Sequence, residues 1–166
     1  MDAATITLPP TLKLHIELTD EQFFDLCQHN RDLRFERTAS GEILIMPPTG
    51  GETSNRNFEI AVQLGIWNKQ NNLGKAFDSN GGFTLPNGAV RAPDVSWVRR
   101  ERWEALTPQQ RRKFLPLCPD FVVELRSPSD SLKETQEKMQ EYINNGARLG
   151  WLIDPQTRRV EIYRPN

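Results

Sequence analysis

Three groups of residues have the types and spacing to do chemistry. Asp94 follows Ala92-Pro93 and opens the run Val95-Ser96-Trp97-Val98. Glu124 interrupts the apolar run Phe121-Val122-Val123-Glu124-Leu125. Ser127-Pro128-Ser129-Asp130 leads into a segment that carries Lys138. A carboxylate among Val122, Val123 and Leu125 faces desolvation, and an unpaired buried charge is costly. An arginine, a proton or a metal ion can satisfy it; the plain alternative is a strand end where Glu124 is exposed. Asp94 taken alone can simply satisfy a turn at a strand start. If their strands are neighbours, however, the two carboxylates meet at one spot and repel each other until a cation joins them. Hard oxygen ligands favour Mg²⁺ or Mn²⁺ over zinc.

The supporting candidates are more open. Lys138 falls at the edge of an apolar helical face led by Leu132, Met139, Tyr142 and Ile143. Either its stem packs while its head stays wet, or its ammonium reaches a phosphate or orients an attacking water. Glu52 and Glu59 sit in a long predicted helix. Of the two, Glu52 is preferred as a further metal ligand, because Thr49-Gly50-Gly51 before it allows close approach. Its alternative is an acid in the helix's first turn. Arg99, Arg100 and Arg102, then Arg111, Arg112 and Lys113, concentrate positive charge mid-chain. They read as a solvated helical surface or as a basic face for nucleic acid.

These residues need elements to position them. Thr19-Asp20-Glu21-Gln22 fits a capping box, so a short helix burying Phe23, Phe24 and Leu26 should follow. Segments 33–37 and 42–46 flank Thr38-Ala39-Ser40-Gly41 and predict a hairpin. Pro47-Pro48 stops it, and a helix over 52–70 follows, with Phe58, Ala61, Val62, Gly65 and Ile66 as its buried face. Strands are expected over 75–79, 82–85 and 94–98, with Pro86-Asn87-Gly88 as a turn. Segment 99–113 should be helical with a restart near Thr107-Pro108. Segment 121–125 reads as a central strand covered on both faces. Another helix, with Ser129 as its N-cap, ends at Asn144-Asn145-Gly146, and 149–153 with 159–163 form a terminal hairpin. The mixed order predicts an α/β chain, a mixed sheet flanked by helices. Residues 1–17 form an N-terminal arm and 18–166 a single domain.

Composition narrows the classes. The chain has 166 residues, enough for one domain with one sizeable core, and is 37% hydrophobic and 26% charged. No apolar run approaches a membrane span, and the first residues do not read as a secretory signal. Cys27 and Cys118 read as ordinary thiols of a reducing compartment, so a cytoplasmic protein is expected. His15 and His29 are too isolated for a zinc cluster. A net charge of −1 weighs against a protein that coats nucleic acid through bulk charge, without excluding a local basic face.

The segments Met46-Pro47-Pro48-Thr49-Gly50-Gly51-Glu52, Ala92 to Val98, Pro119 to Asp130, Glu137-Lys138 to Tyr142, and Gly150-Trp151-Leu152-Ile153-Asp154-Pro155 occur in an order and spacing that resembles the Uma2 family. These are restriction-endonuclease-type proteins that look like a branch of the PD-(D/E)xK nuclease superfamily. The resemblance covers roughly residues 18–165. It implies a restriction endonuclease-like core, here with an N-terminal helix and hairpin, and Mg²⁺- or Mn²⁺-dependent hydrolysis of phosphodiester bonds in DNA. Asp94 would be the motif aspartate and Glu124 the second acid, holding the metal with the Leu125 carbonyl. The lysine usual two residues after the acid is here Arg126, and Lys138 is the natural candidate for a relocated lysine. Arg126 could touch a phosphate, or pair with Glu124 and silence it. A homodimer is expected, because a small nuclease needs two sites to cut both strands. The competing expectation is a catalytically inactive nucleic-acid-binding or regulatory protein on the same fold.

Overall fold

The structure is a computed structural model and describes residues 11–166. The first ten residues of the expected arm lie outside the described residues. The strand β1 (Leu12–His15) continues from them and pairs antiparallel with β3 (Glu42–Met46). Between these strands lie α1 (Asp20–His29) and β2 (Arg34–Arg37). The capping box of α1 forms as its residues predict: the Thr19 hydroxyl accepts from the Gln22 amide, and the Gln22 side chain accepts from the Thr19 amide. Gly41, at φ +87°, closes the hairpin of β2 and β3.

The chain then forms the long helix α2 (Gly51–Asn71), β4 (Gly74–Phe77), β5 (Phe83–Thr84), β6 (Val90–Arg91) and β7 (Val95–Arg99). After the short helix α3 (Arg100–Glu104) and a 3₁₀ turn at Gln110–Arg112 come β8 (Phe121–Leu125), α4 (Leu132–Asn144), β9 (Leu149–Asp154) and β10 (Arg159–Tyr163). Segment 99–113 is therefore less helical than its charge pattern predicts. α4 starts later than expected, and its N-cap is Ser131, whose hydroxyl accepts from the Glu134 amide, not Ser129.

The mixed sheet flanked by helices that the element order predicts is present, and another, antiparallel sheet lies beside it, each five-stranded. The first runs β1-β3-β2-β6-β5 and is antiparallel throughout. The second runs β10-β9-β8-β7-β4. It is mixed: only β8 and β9 are parallel, joined through α4 as a β-α-β crossover. β8 is central, and its side chains from Val122 to Leu125 are buried. The helix α2 packs on β4 and β7, and α4 packs on β8, β9 and β10. The two helices lie on opposite faces of this sheet. At Gly150 a Cβ would come within 2.5 Å of the Met139 side chain, so glycine is what lets α4 seat on β9.

Candidate functional site

β7 and β8 are antiparallel neighbours with Val95 opposite Val123. One step further along that register brings Asp94 beside Glu124. The Leu125 amide donates to Asp94 Oδ2 at 2.8 Å, which ties the aspartate to the strand that carries the glutamate. Asp94 Oδ1 accepts from Asn57 Nδ2 at 3.0 Å, and an Arg34 guanidinium nitrogen stands 3.9 Å from the same oxygen. Asp94, just before β7, is reached from α2 by Asn57, while Glu124 points to the α4 side of the sheet. There Glu124 Oε1 accepts from the Tyr142 hydroxyl at 2.9 Å and lies 2.8 Å from Lys138 Nζ. Among the described residues, Glu124 Oε2 has no hydrogen-bond donor.

The lysine does not snorkel. Its ammonium is also 2.7 Å from Glu36 Oε1, so it bridges two carboxylates. Glu36 lies on β2, in the other sheet, and is almost wholly buried. Its second oxygen receives Arg91 Nη1 at 3.0 Å, and its first also accepts from the Ala92 amide at 3.1 Å. Arg91 Nε in turn donates to Glu141 on α4 at 2.6 Å. The site is thus a buried seam where the two sheets and α4 meet. Residues 138, 141 and 142 serve it because neighbours three and four apart share one side of a helix.

The electrostatics of the seam are unbalanced. Four carboxylates, Glu36, Asp94, Glu124 and Glu141, face three cations, Arg34, Arg91 and Lys138. Burial raises the Glu124 carboxyl to about 7; Lys138 opposes that rise, and the neighbouring Asp94 and Glu36 add to it. Burial likewise raises Asp94, against the pull of the Leu125 amide, Lys138 and Arg34. Glu36 behaves differently. Burial would raise it, but Lys138 and Arg91 together hold it below the ordinary range. Lys138 loses hydration, yet Glu124 and Glu36 outweigh that loss and keep it charged. Asp94 and Glu124 are therefore the two acids of the seam whose charged forms are disfavoured.

The remaining predicted residues fall elsewhere. Arg126 does not clamp Glu124. Its guanidinium donates to Asp154 Oδ2 at 2.9 Å and to the Asp130 carbonyl at 3.1 Å. Glu52 projects into solvent, pairing at 3.3 Å with Arg56 one turn on. Arg99 and Arg100 sit where β7 meets α3, at the opposite end of the strand from Asp94, and Arg99 lies 3.5 Å from Glu101. The structure brings together Asp94, Glu124, Leu125 and Lys138, and leaves Glu52, Arg99, Arg100 and Arg126 apart from them. It adds Glu36, Arg91, Asn57 and Tyr142. Only Arg91 carried a local signal, a cation three residues before Asp94.

The donor set fits a cation. Two desolvated carboxylates adjoin, and Asn57 Oδ1, on the amide that holds Asp94, is buried without a hydrogen-bond partner. Among the described residues no cluster of three or more acidic, histidine or cysteine side chains is poised as a ready-made cage. A cation here would therefore complete its shell with carbonyl or amide oxygens and water, as Mg²⁺ does.

Comparison with known proteins places this geometry. The profile of the Uma2 family, described as "Putative restriction endonuclease", matches residues 20–166. The chain belongs to the Uma2 family. A solved structure described as a putative nuclease belonging to DUF820, from Anabaena variabilis ATCC 29413, superposes with a TM-score of 0.72. It is 23% identical, and the match covers 90% of this Uma2 chain and 81% of the other. The likeness shows a shared fold. A search of curated proteins finds no match. Among the described residues no helix is long and apolar enough to cross a membrane.

Proposed function

We propose that this Uma2 protein is a cytoplasmic, metal-dependent DNA endonuclease whose active site is the Asp94/Glu124 pair. The observation that carries the reading is two adjoining buried carboxylates, one from each of two neighbouring strands, both pushed above the ordinary carboxylate range by burial. Asp94, Glu124 and the Leu125 carbonyl would hold Mg²⁺ or Mn²⁺. When bound, the metal would lower the pKa of a water and neutralise charge on a phosphate.

The chain's own residues do the rest. The Leu125 amide and Asn57 fix the Asp94 carboxylate without consuming its charge. Tyr142 and Lys138 both engage Oε1 of Glu124, leaving Oε2 to face a ligand. Lys138, held between Glu36 and Glu124, places a cation beside the acids and can stabilise charge that develops on a phosphoryl oxygen. Its tether to Glu36 supports the view that the lysine normally placed after the second acid has moved to α4. Two copies would supply the two sites that duplex cleavage requires.

The second reading, nucleic-acid binding without cutting, is favoured by one observation: Arg126, in the lysine's usual place, is consumed by Asp154. Plasmid nicking in Mg²⁺ or Mn²⁺ separates the two. The nuclease reading expects cutting by the wild type, loss in Asp94→Asn and Glu124→Gln, and loss in chelator. No cutting under any metal, with DNA affinity unchanged by chelator, establishes the binding protein. Equal cutting by all three proteins exposes a contaminant.

A further inference from the structure

The seam has a deep end and an open end. Side-chain exposure falls along its acids from 12% at Asp94 to 9% at Glu124 and 2% at Glu36. Its cations also differ: Arg34 is 28% exposed, Lys138 17% and Arg91 10%. Arg34 is the first residue of β2 and pairs with Met46, and the loop 47–50 that follows Met46 is exposed. Strand alternation decides which way its side chain goes. Arg34 and Glu36 stand two apart on β2 and so share a face. Phe35 and Arg37 take the other face, where Phe35 packs against the cluster of Phe23, Ile43 and Val90 and Arg37 lies over the Phe23 ring at 5.3 Å. Arg34 is therefore aimed into the seam at its mouth.

The three cations also differ in their commitments. Lys138 bridges Glu36 and Glu124, and Arg91 bridges Glu36 and Glu141. Among the described residues, the Arg34 guanidinium donates no hydrogen bond. Its approach to Asp94 Oδ1, at 3.9 Å, is beyond hydrogen-bond reach. Nor does Asp94 depend on it, since Asn57 and the Leu125 amide already donate to its two oxygens. A guanidinium is planar, stays charged and offers paired N–H donors that match two oxygens of one phosphate. Arg34 thus carries an uncommitted fork at the open end of an acid-lined seam.

We propose that Arg34 is the residue that receives the substrate, its guanidinium gripping a backbone phosphate of the nucleic acid at the mouth of the site. The proposal rests on the nuclease reading for the class of ligand, a phosphodiester chain, and adds the residue that binds it. Gripping a phosphate gives up only the long approach to Asp94, whereas Arg91 would have to break a buried ion pair. Lys138, held to two acids, can support charge at the reacting centre without leaving them. Arg126 is no rival, because Asp154 holds its guanidinium.

The test is duplex binding by fluorescence anisotropy in chelator, where nothing is cut. Two duplexes of unrelated sequence are titrated with wild type, Arg34→Gln and Arg34→Lys between ~50 and ~200 mM salt. Arg34→Gln should weaken binding ~10-fold or more at the low-salt end, equally for both sequences, with circular dichroism unchanged. Its plot of log affinity against log salt should be shallower by ~0.9, the share of one phosphate. Arg34→Lys should keep the slope and recover part of the affinity, since it keeps the charge and loses the fork. Unchanged affinity and slope in Arg34→Gln, a loss confined to one sequence, or a wild type that binds neither duplex would each overturn the proposal. Plasmid nicking separates this from the reading beneath it. A wild type that nicks, with Arg34→Gln binding normally, removes Arg34 and keeps the nuclease. A wild type that nicks under no metal, with Arg34→Gln losing affinity and slope, keeps Arg34 on a binding protein.

Discussion

The two faces of the second sheet invert the usual rule of burial. The α4 face buries charge: Glu124, Glu36 and Lys138 sit out of water in a chain of ion pairs. The α2 face leaves large apolar groups in water, among them Phe58, Trp151 and Ile162. Neither arrangement is what stability alone selects, since replacing buried ion pairs by packed apolar groups is often neutral or stabilising. The contrast teaches that the stability of the isolated chain does not account for either face.

Several outcomes would sharpen or break this contrast. The largest effect is expected in catalysis. Asp94→Asn and Glu124→Gln should each lower nicking rates by ~10³-fold or more, while changing the fold little, and a plasmid assay reads this directly. Next comes Lys138→Met, which strands Glu36 and Glu124 without a shared cation. It should lower unfolding free energy by about 3–5 kcal/mol in denaturant titrations near neutral pH.

The pH dependence of the α4 face is the third outcome. Glu124 titrates at about 7 in the fold, above the 4.5 of an unperturbed glutamate. Between those values the folded chain holds the proton more tightly than the unfolded chain, so stability should fall as pH rises from about 4.5 to 7. Asp94 shifts upward too and adds to the same trend at the acid end. Glu124→Gln should flatten the slope. Saturating Mn²⁺ should oppose it, because a metal needs the ionised acid.

A smaller loss, about 1 kcal/mol, is expected for Arg126→Gln, which breaks a pair with Asp154 at the margin of the seam. It should leave nicking largely intact if Lys138 serves the site, and a rate loss as deep as that of Glu124→Gln would reassign the lysine's role to Arg126. The smallest effect belongs to the α2 face. Val160→Thr, at a residue 53% exposed, should change the chain's own unfolding in dilute solution by no more than ~0.5 kcal/mol.

The contrast also marks what was legible in the sequence. Asp94, Glu124 and Lys138 stand in short segments whose local pattern announces them: an acid after proline, an acid in an apolar strand, a lysine at the edge of an apolar helical face. Glu36 has no such signal. Phe35-Glu36-Arg37 reads as an ordinary hairpin strand, and Glu36 becomes a site residue only because the first sheet packs against α4. The same holds for Glu141, which reads as a surface acid until Arg91 reaches it. The two-sheet architecture was hidden for a related reason. β1 lies in a segment that reads as an arm, and the two-residue β6 is too short to declare itself and pairs with β2 through a single register position, Val90 with Arg37. Helix α2 was misread in the opposite sense. Apolar periodicity pointed to Phe58, Val62 and Ile66 as its buried face, but Thr53, Asn57 and Asn68 make the specific contacts with the sheet. Periodicity reports which face wants cover, not whether the same chain provides it.

The account rests on Asp94 and Glu124 sharing a cation. A crystal soaked in Mn²⁺ and measured by anomalous diffraction tests this most directly. We predict one manganese peak per chain within ~2.0–2.3 Å of a carboxylate oxygen from each residue, absent from Glu124→Gln crystals. A clean map in which Lys138 and Tyr142 keep Glu124, the Leu125 amide keeps Asp94, and no peak lies between the two acids would contradict it.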